Sequence, residues 1–364
     1  MTDIETLRNE LSELDLKIIE LVHRRQVLSE EIGAIKRKKG SPTRDYQREK
    51  LVIELAKSHA QELNVDPVMV VDLMQLLIQS SLKTQESARV KEEGQGNGKK
   101  VLIIGGLGRM GSWFAEFMSM QGYEVHIADI DIHDEDKSHF SNWVDTDDDY
   151  DITVVATPLR QSKEILEKIL ELGRRGILFD IASIKSPIKE ILTKISEKGM
   201  KVTSIHPMFG PDTDLLTGKH VVFMNLDDHG THFEIMKLFE STTAQLIEMS
   251  IDSHDYAISY VLGLSHIINI AFSKVLHGSG EKKEALSQVS STTFKDQIEV
   301  ARRVSQENPN LYFEIQHLND HSMQTIKELN RVIKEITDAI TLGNEDNFVE
   351  IMYTGKKYFE DAKD

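Results

Sequence analysis

Apolar residues recur through the first 35 positions at Ile4, Leu7, Leu11, Leu14, Ile18, Leu21, Leu28, Ile32 and Ile35, in steps that alternate three and four. That spacing lays one apolar seam along a long helix packed against another helix. The rhythm puts Arg25 at one seam position. Burying an unpaired guanidinium is costly, so something must answer it, and no acidic residue shares the seam. One answer is a bound carboxylate, which arginine grips with two parallel hydrogen bonds. The bland answer is a side chain that snorkels to water or pairs with a glutamate of another helix.

The seam predicts a first helix to about Lys38, which Gly40-Ser41-Pro42 ends. A second helix is expected from near Asp45 to before Asn64. Asp66-Pro67 reads as the N-cap and first turn of a third, through about Ser87. The stripe of this third helix, Val71, Met74 and Ile78, turns polar at Ser81 and Gln85. A polar end suits a pocket wall or a helix end leaving the core. Residues 91–98, KEEGQGNG, lack periodicity and read as a flexible linker. Beyond it, β-branched runs alternate with helical segments at Val101–Ile104, Glu124–Ala128, Ile152–Ala156, Ile177–Ile181, Val202–Ile205 and Val221–Met224. This is the pattern of a parallel sheet with crossover helices. From about Asp252 long helical patterns return. The expected plan is multidomain: an all-α domain at 1–90, a linker at 91–98, an α/β domain at 99–252 and an all-α domain at 253–364. The acidic stretch Asp145–Asp151 reads as a solvated loop.

Composition narrows the function. The chain has no cysteine, which excludes disulfides, thiolate metal sites and cysteine nucleophiles. Its net charge of −17 argues against nucleic acid or an anionic membrane as partner. The N-terminal helix carries acids and lacks a signal-peptide core, and no stretch is expected to span a membrane, so a cytoplasmic protein is expected. No metal site is predicted.

One motif carries specific chemistry. The run Val101–Ile104 leads into Gly105-Gly106-Leu107-Gly108-Arg109-Met110-Gly111 and then a helix. Gly106, Gly108 and Gly111 fit the fingerprint of a Rossmann-type dinucleotide site. The first permits the tight turn, the second lets a pyrophosphate approach the backbone, and the third packs helix on strand. The phosphates rest on free helix N-terminal amides, which Arg109 and Met110 open. Asp129 follows at the end of the next strand, placed to accept from an adenosine ribose. The residues after it, Ile130-Asp131-Ile132-His133, offer no arginine for a 2′-phosphate, so NAD is expected over NADP.

Ligands of open α/β sheets lie beyond the carboxyl ends of the strands, where Thr157, Ser183 and His206 fall. His206 lies in SIHPMFGP, whose prolines suggest a rigid, exposed loop. A histidine there suits a general base for a hydroxyl being oxidised, or a structural cap of the loop. In the last domain, His254 and His266 are 12 residues apart, about 120° around one helix, so they cannot both face one point. His266 sits among apolar residues, as a satisfied core histidine would. Arg302 and Arg303 point different ways, so at most one reaches a cleft.

These residues resemble a known family. GGLGRMG, Asp180-Ile181-Ala182-Ser183-Ile184-Lys185, IHPMFGPD and Asn308-Pro309-Asn310-Leu311-Tyr312 resemble prephenate dehydrogenases, and the first 90 residues resemble all-helical chorismate mutases. In this order they resemble the bifunctional chorismate mutase/prephenate dehydrogenases of tyrosine biosynthesis, over nearly the whole chain. The resemblance implies a mutase pocket of Arg8, Arg25, Lys36, Asp45, Arg48, Glu49, Ser81 and Gln85. Arg8, Arg25 and Arg48 would hold the carboxylates of chorismate, and Lys36 and Gln85 would stabilise its ether oxygen. Asp45 and Glu49 would place the substrate hydroxyl or orient neighbouring cations. Arg25 and Lys36 are 11 residues apart and share a helix face, whereas Arg8 points roughly 100° away. The family's answer is a homodimer in which Arg8 serves the partner's pocket.

In the other half the resemblance makes His206 the base for the ring hydroxyl of prephenate, with Ser183 orienting it. Arg303 would bind the side-chain carboxylate, and His266 would line the pocket. NAD would sit on Gly106, Gly108, Arg109, Met110, Gly111, Asp129 and Thr157. The product is 4-hydroxyphenylpyruvate. Leu262 replaces a usual polar residue, and Lys295 a frequent arginine, which leaves arogenate open as the substrate. No regulatory amino-acid-binding domain is recognised, so inhibition by tyrosine would act at the dehydrogenase pocket. The rival readings are a mutase fused to an arogenate dehydrogenase, an isochorismate-processing lyase, and a non-catalytic sensor of NAD or a carboxylate.

Overall fold

The structure, a computed structural model, describes residues 3–134, 136–146, 149–227 and 229–360. Asp147 and Asp148, in the expected solvated loop, lie outside the described residues. The chain divides into two compact units. One comprises Met1–Thr157, Glu164–Ala182 and Leu192–Met249, and the other Pro158–Lys163, Ser183–Ile191 and Ser250–Asp364.

The first unit opens with three helices, α1 (Ile4–Lys38), α2 (Tyr46–Glu62) and α3 (Pro67–Glu92). Asp45 caps α2 by accepting from the Arg48 amide, and Asp66 caps α3 by accepting from Val68, with Pro67 in the first turn. Helix α1 buries only Ser29 and Gly33. Gly33 lets α1 approach α3 closely, since a Cβ there would lie 2.8 Å from Gln85 Cγ. Among the described residues no helix covers the N-terminal seam: Leu11 is 60% exposed and Leu21 67%.

Helix α3 runs one turn past its expected end, and the following glycines are not a free linker. The amides of Gly96 and Gly98 donate to the carbonyls of Gln121 and Gly122. A Cβ on Gly94 would lie 2.5 Å from the Gln121 carbonyl oxygen, and one on Gly96 2.3 Å from the backbone of Gly122. Glycine serves close backbone approach here rather than mobility.

The α/β part contains β1 (Lys100–Ile104), α4 (Arg109–Met120), β2 (Glu124–Ala128), β3 (His139–Phe140), β4 (Ile152–Val155), α5 (Leu159–Leu172), β5 (Ile177–Asp180), α6 (Lys189–Glu197), β6 (Val202–Pro207), β7 (His220–Met224), α7 (Thr231–Glu240) and β8 (Gln245–Met249). The sheet order is β3-β2-β1-β4-β5-β6-β7-β8, parallel throughout except for the β6–β7 pair. Strand order reverses between β1 and β4, the switch point at which such sheets bind ligands. Buried aliphatic runs in β1 and β4 form the central strands, and Phe114, Phe117, Phe179, Phe223 and Phe239 pack beside them.

The second unit is helical: α8 (Ile251–Ile258), α9 (Ser265–Ser279), α10 (Lys283–Gln288), α11 (Thr292–Ser305), α12 (Pro309–His317), α13 (Ser322–Thr341) and α14 (Glu345–Glu360). A π-helical stretch, Ser259–Leu264, joins α8 to α9. Contrary to expectation, the run Ile251–Ser279 is long and apolar enough to cross a membrane by length and composition. It packs against α11 and α13 and carries a buried, hydrogen-bonded carboxylate, Asp255.

Candidate active sites

Helices α1 and α3 assemble the first cluster. The Arg25 guanidinium donates to the Leu77 carbonyl and to the Ser81 hydroxyl, both on α3. The seam arginine is thus answered by a helix backbone and a hydroxyl, and burial pulls its pKa below the ordinary arginine value. One turn on, Gln85 Nε2 donates to Ser29 Oγ at 2.7 Å, while Gln85 Oε1 is buried with no hydrogen-bond partner among the described residues. A buried acceptor left unpaired is unusual and points to a missing partner.

Lys36 Nζ donates to the Thr43 carbonyl at 2.8 Å. Lys36 and Asp45 line one cavity of about 610 Å³ with Ile32, Arg44 and Tyr46. Glu49 is bound bidentately by Arg44, whose guanidinium also lies 4.4 Å over the Tyr46 ring. Arg44 was not among the expected residues. Its hydrogen bond to Glu49 raises its pKa. The only sequence signal for it is its position beside Asp45 and Tyr46. The side chains of Arg8 and Arg48 are exposed. Arg8 lies 17 residues up α1 from Arg25, about 26 Å along the axis.

The second cluster sits at the carboxyl ends of β1 and β2. Gly105 adopts φ +85°, and the Gly108 amide closes the turn onto its carbonyl. A Cβ on Gly111 would lie 2.1 Å from the Gly105 oxygen, and one on Gly106 2.5 Å from Ile127 Cγ2. This glycine cradle at a helix N-terminus is one a pyrophosphate fits. Asp129 braces it by accepting from the Leu107 amide at 3.0 Å. Thr157 packs beside it, its methyl 2.9 Å from where a Gly105 Cβ would stand. Arg109 is exposed and paired with Asp212 at 2.8 Å. Met110 packs its side chain on the sheet core, leaving only its backbone for a ligand.

His206 departs from the expectation of an exposed loop. It lies inside β6, paired with Val222 of β7, and is 4% exposed. The prolines mislead because Pro207 is the last strand residue, where its missing N–H is tolerated.

In the second unit, Ser183 is half-buried at the start of a segment pinned by Asp255. The Asp255 carboxylate accepts from the amides of Lys185 and Ser186 and from the Ser186 hydroxyl, and pairs with His254 Nδ1 at 2.8 Å. Burial would raise this carboxyl, but the donors of His254, Ser186 and Lys185 outweigh it and hold it below the usual carboxylate range. His266 stacks on Tyr312, with ring centroids 4.0 Å apart, and burial lowers its pKa. Its Nδ1 is buried without a partner among the described residues, unlike a satisfied core histidine. Arg302 is committed to Glu299 and Gln306 on its own helix. Arg303 is exposed and makes no ion pair among the described residues.

Residues 7–86 match the family Chorismate mutase type II. Residues 114–248 match the nucleotide-binding domain of prephenate dehydrogenase, and residues 250–354 its dimerization domain. The second match begins after the glycine loop, so that loop rests on its own geometry. The chain is 22% identical over 361 residues to the T-protein of Enterobacter agglomerans, covering 99% of this chain and 94% of that protein. Its first part is 31% identical to the chorismate mutase of Methanocaldococcus jannaschii over 94 residues, 26% of this chain and 93% of that protein. A solved prephenate dehydrogenase from Aquifex aeolicus, in complex with hydroxyphenyl propionate and NAD+, shares the fold with a TM-score of 0.58. That likeness has 21% identity and covers 73% of this chain and 98% of that one. With mutase helices ahead of both dehydrogenase domains, the chain belongs to the bifunctional chorismate mutase/prephenate dehydrogenases of tyrosine biosynthesis.

Proposed function

We propose that two copies of this chain build each mutase pocket together, and that the side chains named from its sequence carry both reactions. The observation behind this reading is two of the buried polar groups left with an atom that has no partner among the described residues, one end of the Gln85 amide and His266 Nδ1. Leaving such an atom unpaired costs about 1–3 kcal/mol, which a bound substrate would recover.

In the mutase pocket no acid, base or covalent intermediate is needed. Arg25 and Arg48, with Arg8 from the partner, hold the two carboxylates of chorismate in the compact reactive conformer. Turning the Gln85 amide over places Oε1 on the Ser29 hydroxyl and frees Nε2 for the ether oxygen, which Lys36 also stabilises as charge develops there. Ser81 keeps Arg25 in place, and Asp45 and Glu49 set the substrate hydroxyl and the neighbouring cations. The second copy covers the exposed seam of α1, where Leu7, Leu11 and Leu14 leave an apolar face beside Arg8.

In the dehydrogenase, the cradle of Gly106, Gly108 and Gly111, the amides of Arg109 and Met110, Thr157 and the Asp129 carboxylate hold NAD. Bound there, NAD would supply the acceptor for the hydride of the ring carbon that carries the hydroxyl. His206 accepts the ring hydroxyl proton, and Ser183 orients it. Arg303 holds the side-chain carboxylate of prephenate, and His266 donates to or accepts from the substrate as a neutral ring. Loss of carbon dioxide then gives 4-hydroxyphenylpyruvate. Prephenate is the substrate over arogenate, tyrosine inhibits at this pocket, and the enzyme works in the cytoplasm.

The test is to give prephenate and NAD to the parent and to His206→Asn. The parent should form NADH and 4-hydroxyphenylpyruvate, and the variant should lose the oxidation while still converting chorismate to prephenate. Parent-like oxidation by His206→Asn would overturn the assignment. A higher kcat/KM for arogenate would reassign the substrate, and saturating tyrosine without effect would remove the inhibition.

A further inference from the structure

Helix α3 presents consecutive residues to two different partners. Gln85 faces Ser29 of α1, while the next residue, Glu86, turns toward the α/β part and is 4% exposed. One Glu86 oxygen accepts from the Leu216 amide at 3.1 Å, and the other from Thr243 Oγ1 at 2.8 Å. One turn earlier on α3, Lys83 Nζ lies 2.6 Å from Asp214. Leu216 and Asp214 belong to the loop 208–219, which joins β6 to β7 and begins two residues after His206.

The same loop is held from its other side by the dinucleotide helix. Trp113 Nε1 donates to the Thr213 carbonyl at 2.9 Å, and its ring packs on Phe209 with centroids 5.0 Å apart. Arg109 pairs with Asp212. Arg109 and Trp113 flank Gly111, the tightest glycine of the cradle. The loop is not packed solid. A cavity of about 350 Å³ remains around these contacts, lined by Lys83, Glu86, Trp113, Phe117, Asp212 and Leu216 among others. Leu216 and Phe209 anchor the loop apolarly, and the polar pins fix the residues between them, where this cavity leaves room.

We infer that Glu86, on the mutase helix, is a positioning residue for the dehydrogenase: it fixes loop 208–219 and, through Thr213 and Asp212, the start of α4 where NAD is held. The inference rests on the proposed dinucleotide site. It assigns Glu86 no contact with either substrate. Losing the carboxylate removes the acceptor of Leu216 and Thr243 and loosens the loop that meets Trp113 and Arg109 of α4. The effect falls on NAD binding before it falls on turnover.

The experiment measures steady-state prephenate oxidation and chorismate rearrangement for the parent, Glu86→Ala and Glu86→Gln. Glu86→Ala should raise the KM for NAD by about tenfold, the effect of one buried hydrogen-bonding partner lost, with a smaller change in kcat. Glu86→Gln keeps an acceptor for Leu216 and a group for the Thr243 hydroxyl, so it should restore the parent KM to within about twofold. Chorismate kcat/KM should stay near the parent value in both. Should Glu86→Ala fail to fold, Thr243→Val removes the hydroxyl that donates to Glu86 and also meets Thr217 of the loop, and should raise the KM for NAD about threefold beyond Thr217→Val, which breaks only the second contact. A parent KM for NAD in the folded Glu86→Ala, or a KM in Thr243→Val no higher than in Thr217→Val where Glu86→Ala does not fold, overturns the inference. A parent that neither binds NAD nor oxidises prephenate defeats the underlying site assignment instead.

Discussion

Gly111→Ala isolates the dinucleotide cradle within one polypeptide. The added methyl would stand 2.1 Å from the Gly105 oxygen, 2.9 Å from the Gly105 carbonyl carbon and 2.9 Å from the Gly106 Cα. All three are backbone atoms, so no side chain can swing away. The start of α4 must withdraw by about 1 Å or more before these contacts reach ordinary van der Waals range. Overpacking of this kind destabilises locally by about 1–3 kcal/mol. The larger consequence is functional, because the displaced amides are those proposed to meet the pyrophosphate, and a shift of about 1 Å in a positioned site can cost about a hundredfold. The expected phenotype is a KM for NAD raised at least tenfold or prephenate oxidation below detection, with chorismate rearrangement retained, since Arg25 and Gln85 make their hydrogen bonds between α1 and α3 rather than to α4. The two assays on one preparation give the answer, and the mutase serves as the folding control. Parent-like NAD affinity in Gly111→Ala would refute the reading of Gly106, Gly108 and Gly111 as a phosphate cradle.

Other outcomes follow from the same contacts. Arg25→Lys should lower chorismate kcat/KM by at least about tenfold, because an ammonium cannot reproduce the planar fork, and rescue to parent activity would count against carboxylate binding there. Leu14→Glu, on the exposed seam of α1, should abolish mutase activity while prephenate oxidation persists, and a fully active mutase would deny the shared pocket. His266→Asn should raise the KM for prephenate about tenfold with little change in kcat, measured by initial rates. Asp255 has a depressed carboxyl pKa, so its contribution to stability is complete above the ordinary carboxylate range and lost as pH falls through its folded value. Thermal melts across acidic pH should therefore be flatter for Asp255→Asn than for the parent, with a lower Tm at pH 7, and parallel curves would contradict the assignment.

The periodicities located the elements because burial follows them. The runs named for β1, β2, β4, β5, β6 and β7 are strands to within a residue or two, and the helix ends at Asp45 and Asp66-Pro67 are capped as their chemistry required. Two strands escaped notice. His139–Phe140 is too short to show a period, and Gln245–Met249 places Glu248 in the run, as an edge strand tolerates. Residues 91–98 pack closely although their composition suggests a flexible linker, because composition cannot separate mobility from close backbone approach. His206 was expected in the open because its neighbours are prolines, although Pro207 only ends its strand. The partners of Glu86 and Asp255 depend on tertiary contacts, and no local pattern encodes those, whereas Arg44 meets Glu49 only five residues on.

The central claim is that one chain performs two consecutive reactions. The most direct test supplies purified protein with chorismate and NAD, without added prephenate, and follows NADH absorbance together with 4-hydroxyphenylpyruvate. The account predicts NADH after a brief lag while prephenate accumulates, and loss of that signal in Gln85→Ala that added prephenate restores. No NADH from chorismate, prephenate or arogenate would contradict it.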